Sequence, residues 1–283
     1  MRRYPLDHID HRVRSLAAVS GFYDALLPAL GYTKRVAART MIEYYHPDEA
    51  DPFFGIHQHA GHVPSLTRVA FAAQTRADVD RIGALLASIG ARNIEGPMEC
   101  RDNGQPYYAV FFEDPDGNKL EVTRNGLDEA HVTHHPFDHI DHRVRSLASV
   151  SAFYDALVPA LGYTKRIAGQ SMIEYYHPDE ADPFFGIHQH AGHSATLTRV
   201  AFAAQTRADV DRIGALLASI GARKVQGPMD CPDYRQPYYA VFFEDPEGNR
   251  LEVCCRRSAR KELKTGVSAQ MNSAEVKAAL DWQ

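Results

Sequence analysis

The chain has 283 residues, 45% hydrophobic and 24% charged, with a formal net charge of −5, a profile that fits a globular protein. No apolar run approaches the ~20 residues of a membrane span, and Met1-Arg2-Arg3-Tyr4-Pro5 leads into no signal-peptide core. The acidic balance leaves no electrostatic footprint for nucleic acid, and four cysteines are too few for a disulfide framework, so the expectation is a cytoplasmic protein.

The pattern begins with a strand over Leu6–Arg14, which alternates Ile9, His11 and Val13 against His8, Asp10 and Arg12. Ser15 then stands where a cap belongs, before a helix whose Leu16, Val19, Phe22, Tyr23, Leu26 and Leu30 form one stripe ending at Gly31. Strand candidates follow at Tyr32–Ala37, Met41–His46 and Phe53–His59, the last two separated by Pro- and Asp-rich turn chemistry. A strand at Leu66–Ala73 restarts the pattern. Thr75 to Asp78 match a capping box opening a helix that Gly90 closes. After Ala91–Glu95, Tyr107–Phe112 and Asn118–Thr123 form a hairpin around Asp114-Pro115-Asp116-Gly117.

All of this is then written again. Residues 7–122 return without a gap, roughly five in six identical, at a domain-sized period of about 131. Strand, helix and three strands therefore occur four times. The boundaries read as 4–124 for the first domain, 125–136 for a linker, 137–256 for the second domain and 257–283 for a tail with a short helix near Ala274–Trp282.

The string His8-Ile9-Asp10-His11-Arg12-Val13, then Phe22-Tyr23 and Leu30-Gly31, resembles the first strand and helix of the vicinal oxygen chelate superfamily. This group includes glyoxalase I, extradiol dioxygenases, fosfomycin-resistance transferases and bleomycin-binding proteins. Arg68-Val69-Ala70-Phe71, with Val79-Asp80 and Gly90-Ala91, resembles its second strand and helix, and residues 107–122 its closing hairpin. The resemblance implies an α+β fold of tandem paired βαβββ modules, the glyoxalase/bleomycin resistance/dihydroxybiphenyl dioxygenase-like fold. It also implies a sheet curled into a cup around a divalent metal that chelates adjacent substrate oxygens.

Carried over, the first-strand ligand falls on His8 and the eighth-strand ligand on Glu121, or His139 and Glu252 in the second copy. The fifth-strand ligand position is held by Arg68 (Arg199), which stays protonated and cannot ligate, and the fourth-strand position by Gly55 (Gly186). Two readings stay open. In one, His57 or His59 (His188 in the second copy) completes a metal set with His8 and Glu121, giving a glyoxalase- or dioxygenase-like enzyme using Fe, Mn, Zn or Ni. Glu121, Glu252, Tyr107 and Tyr238 would be catalytic, and Arg12, Arg68, Arg143 and Arg199 would grip a small anionic substrate. In the other, Arg68 pairs with Glu121 in a metal-free cup of the drug-sequestering type. Glu43 (Glu174) is a weaker base candidate. His11 reads as a satisfied core histidine, and His131, His134 and His135 as solvated linker residues. The tandem copies make the chain a pseudo-dimer, monomeric or further dimerised. Whether modules pair within a copy or swap between copies stays open; if swapped, His8 meets Glu252 and His139 meets Glu121.

Overall fold

The computed structural model describes residues 6–47, 53–100, 107–125, 135–178, 184–232 and 237–256. The first copy runs β1 (Leu6–Val13), α1 (Leu16–Ala29), β2 (Thr33–Ala37), β3 (Met41–Tyr45), β4 (Phe53–Gln58), β5 (Arg68–Ala72), α2 (Arg76–Leu86), β6 (Arg92–Cys100), β7 (Tyr107–Glu113) and β8 (Lys119–Asn125). The second runs β9 (Phe137–Val144), α3 (Leu147–Ala160), β10 (Thr164–Ala168), β11 (Met172–Tyr176), β12 (Phe184–Gln189), β13 (Arg199–Ala203), α4 (Arg207–Ile220), β14 (Arg223–Asp230), β15 (Tyr238–Glu244) and β16 (Arg250–Arg256). The proposed tail helix and most of the linker, including His131 and His134, lie outside the described residues.

The helices follow the periodicity closely. Leu16, Val19, Phe22, Tyr23, Leu26 and Leu27 are the buried stripe of α1, and Thr75 with Asp78 closes a full capping box on α2. Ser15 departs from expectation, since its side chain caps nothing. The first turn is served by other residues: the Leu16 amide donates to Gln58 Oε1 at 2.9 Å, and the Arg14 amide to Asp116 Oδ2 at 2.7 Å. Strand β6 is longer than the sequence suggested. It is an edge strand of mostly exposed residues held by backbone pairing with β7, so no apolar alternation marks it.

Each eight-stranded sheet draws its two halves from different copies. One runs β14-β15-β16-β13-β1-β4-β3-β2, the other β10-β11-β12-β9-β5-β8-β7-β6. Strand β1 is antiparallel to β13 and β5 antiparallel to β9, so the chain takes the swapped pairing. Its connectivity makes this economical. The linker from β8 to β9 only has to step over β5, about 10 Å at ordinary strand spacing, without leaving its sheet.

Helices cover one face of each sheet, where Ile9, Val13, Phe54, Ile56, Val69 and Phe71 are fully or almost fully buried. This layer also carries a polar bracket. Asp114 in the β7–β8 turn accepts from Tyr23 Oη (2.7 Å) and Asn118 Nδ2 (2.9 Å), with His11 Nε2 at 3.4 Å, joining the two sheets within one copy. Burial opposes but these donors outweigh it, holding Asp114 down to about 2. His11 is thus a core histidine, as read. His135 is not a solvated linker residue: it is buried, with Nε2 at 3.3 Å from the Leu6 carbonyl, and burial lowers it to about 4, in the neutral form. Sequence reading missed it because short polar stretches between domains give no sign of docking. No helix among the described residues is long and apolar enough to cross a membrane.

Candidate functional site

The face of each sheet away from the helices is lined with charge, yet its side chains are buried. His8 and Glu252 are 1% and 0% exposed, so the sheet itself must curl over them. Strand register explains who meets whom. His8 pairs with Ala201 and Ala201 with Glu252, which places imidazole and carboxylate on one row with only a methyl between them. Their Nε2 and Oε2 stand 3.8 Å apart. His139 and Glu121 repeat this in the second cup, also at 3.8 Å. The site therefore assembles His8 with Glu252, and not with Glu121 of its own copy.

The next row holds Glu43, Gly55, Asp10 and Arg199 on adjacent strands. Asp10 is the residue the sequence reading passed over. Its Oδ2 lies 3.0 Å from Arg199 Nη2 and its Oδ1 3.1 Å from His57 Nε2; in the second cup His188 reaches Asp141 at 3.0 Å. The fourth-strand glycine makes this reach possible. A Cβ at Gly186 would meet His188 Nε2 at 2.7 Å. Thus the absence of a side chain at this glycine admits the fourth-strand histidine, which then turns to the aspartate. His59, the other fourth-strand candidate, is exposed.

A second missed pair, Asp7 and Asp138, depends on a bulge. Leu6 faces Phe202 and His8 faces Ala201, so Asp7 is an extra residue in β1 and breaks the strict alternation assumed from sequence. Its Oδ1 sits 2.6 Å from His8 Nδ1, the geometry that fixes a histidine's ring and tautomer, and Asp138 does the same to His139. Arg256 Nε donates to Asp7 at 2.9 Å, whereas Asn125 Nδ2 donates to Asp138 at 2.7 Å.

The arginines expected to grip a substrate divide between cups by the swap. The first cup holds Arg12 and Arg199, the second Arg143 and Arg68. Arg199 Nη1 reaches Glu252 Oε2 at 3.2 Å while the guanidinium lies over the Phe242 ring, 5.0 Å from its centroid. Arg68 stands 3.7 Å from Glu121 and 3.5 Å from Asp141, with its side chain 25% exposed. Arg143 Nη2 lies 3.2 Å from Asp141. Tyr238 donates a short hydrogen bond to Glu252. Tyr107 makes no such bond, and both Glu121 oxygens lack a hydrogen-bond partner among the described residues. Glu174 is buried and accepts from Tyr176 Oη at 2.8 Å, so it is a tied carboxylate and not a free base.

Protonation follows from these surroundings. Burial pushes Glu121 up to about 8, only partly offset by His139 and Arg68. Burial alone would lower His139, but Glu121, Asp138 and Asp141 outweigh it and raise it to about 9. His8 and Glu252 shift in the same two directions for the same reasons.

A cation site can be tested against this donor set. His8, Asp10 and Glu252 bring one atom each to within 4.8 Å of one another; His57 is not in that group, and among the described residues no group of three in the second cup meets the same span. Two of those three donors already hold Arg199.

No protein-family model matches this sequence, and no curated protein matches it. Solved structures do. Maize glyoxalase I is 15% identical with a TM-score of 0.61, covering 89% of this chain and 92% of its own. A putative dioxygenase from Bacillus subtilis is 15% identical with a TM-score of 0.64, covering 91% and 87%. These matches establish the fold, shared with glyoxalase I and that putative dioxygenase over nearly the whole chain.

Proposed function

We propose that the chain binds a small oxygenated anion in a cup of its curled sheets without a resident metal, an arginine guanidinium standing where the fold family places a cation. The observation that carries this is Arg199, which lies between Asp10 at 3.0 Å and Glu252 at 3.2 Å and neutralises the carboxylates that a divalent ion would need. The His8, Asp10 and Glu252 set does not fit a second cation beside that guanidinium, because two positive groups would share one buried acid pair.

The second cup supports this reading. Arg68 and Arg143 are partly exposed cations of bidentate geometry. Burial pushes Glu121 up and the facing carboxylates raise His139, so the pair holds a proton that it can offer to a ligand oxygen. Asp138 and Asp141 orient these groups. A carboxylate bearing an adjacent oxygen suits this arrangement: the guanidinium takes the carboxylate, and the Glu121–His139 pair can give or take a proton at the neighbouring oxygen. This is the sequestering reading of the sequence, extended by a proton-transfer pair that would also serve an isomerase.

Oxalate, with adjacent carboxylates, is a suitable calorimetric probe. Chelator-treated protein should bind it unchanged, Arg68→Met should weaken it more than tenfold, and elemental analysis after loading with Fe, Mn, Zn or Ni should show no stoichiometric metal. Oxalate binding that returns only with added metal would overturn the proposal.

A further inference from the structure

The two cups share every residue discussed so far except along one strand. At the last two cup-facing positions of β8, Thr123 and Asn125 become Cys254 and Arg256 on β16. We infer that Arg256 locks the first cup shut by holding Tyr238 down on Glu252, while Asn125 leaves the second cup as the one open to a ligand.

Arg256 and Tyr238 are cross-strand partners, as are Asn125 and Tyr107. The Arg256 guanidinium lies over the Tyr238 ring, 4.9 Å from its centroid, while its Nε is anchored to both oxygens of Asp7 at 2.9 and 3.1 Å. Clamped by that stacking, Tyr238 is 2% exposed and its hydroxyl sits on Glu252. Arg199, 1% exposed, takes the other Glu252 oxygen and Asp10. The first cup's acids are thereby occupied from within.

Asn125 anchors Asp138 equally well, at 2.7 and 2.8 Å, but has no cation to lay on a ring. Tyr107 is correspondingly only half-buried, Arg68 stands off from both carboxylates with a quarter of its side chain exposed, and Glu121 keeps two buried oxygens without a hydrogen bond. A fully buried carboxylate without a hydrogen bond, facing partly exposed cations, is what an incoming oxygenated anion would complete.

This inference rests on the anion-binding reading, and its test separates the two. Calorimetry with oxalate on the full chain should give one site per chain. Arg256→Asn should give two, and Asn125→Arg none. Two equivalent sites in the parent, or an unchanged stoichiometry in Arg256→Asn, would overturn it. Acetylation with N-acetylimidazole, mapped by mass spectrometry, needs no ligand: Tyr107 should be modified at least tenfold faster than Tyr238, and Arg256→Asn should bring Tyr238 up to the Tyr107 rate. If no form binds oxalate, the anion reading fails and the labelling alone decides the lock. Equal labelling of the two tyrosines in the parent chain would refute it.

Discussion

His8 and Glu252 open the first copy and close the second, yet their Nε2 and Oε2 stand 3.8 Å apart in one cup. The contact follows from β1 pairing with β13, and it makes a claim about the isolated repeat. A fragment of residues 1–131 carries β1–β4 and β5–β8, which belong to different sheets. It should elute as a dimer, each copy lending its first half to the other's second half. A stable monomer with native-like melting would show that the halves can pair within one copy.

The buried arginines should differ in what their removal costs. Arg199→Met leaves Asp10 and Glu252 facing each other out of solvent, and breaking a buried pair in this way costs about 3–5 kcal/mol. Arg68 is partly exposed and its contacts are longer, so Arg68→Met should cost about 1 kcal/mol or less. Urea unfolding of the two variants measures the difference. Equal losses would contradict the unequal geometry.

The pH dependence of stability should carry the mark of Glu121. Its carboxyl is held up at about 8 in the fold against an ordinary value of 4.5, so the native state binds more protons than the unfolded chain between those values. Stability from this group therefore falls as pH rises from about 4.5 to about 8. His139, raised to about 9 from 6.5, contributes stability that is full below 6.5 and lost as pH climbs through 9. Both effects run the same way. Glu121→Gln should flatten the decline in urea midpoint between pH 5 and 9, and a curve parallel to the parent's would refute the assignment.

The Asp114 bracket predicts a duplicated, additive effect. Tyr23→Phe removes a buried 2.7 Å donor to Asp114 and should cost about 1–2 kcal/mol. Tyr154→Phe removes the equivalent donor to Asp245, also at 2.7 Å, and should cost a similar amount. The two brackets share no residue, so the double variant should lose the sum, read from denaturant midpoints. A double loss well short of that sum would reveal coupling between the copies.

The strands and helices were legible because apolar periodicity reports directly on which face is buried. The resemblance pointed to His8, Glu252 and Arg199, and strand alternation agreed with the side of the sheet on which each lies; for Tyr238, alternation said only that it and Tyr239 face opposite ways. Asp7 was not legible, because a bulge cannot be read from the residues on either side of it. Asp10 was on the right face, but its partner Arg199 lies in the other copy and reaches it only because β13 pairs with β1. Which strand lies next to β1 was likewise hidden, because near-identical copies present interchangeable edges. The contrast between Asn125 and Arg256 was printed in the sequence. Its meaning appears only when each is seen beside the tyrosine across the strand.

Building each sheet from both repeats also shapes how such a chain can diversify. A substitution late in the second repeat remodels the pocket whose imidazole lies in the first, so neither repeat owns a pocket that it could refine alone. Once two copies are fused, a change at position 256 alters one chamber and leaves its twin intact. In a dimer of identical single repeats the same change would strike both chambers at once. Fusion thus allows the twins to take different roles while the surfaces that bind the halves together stay matched.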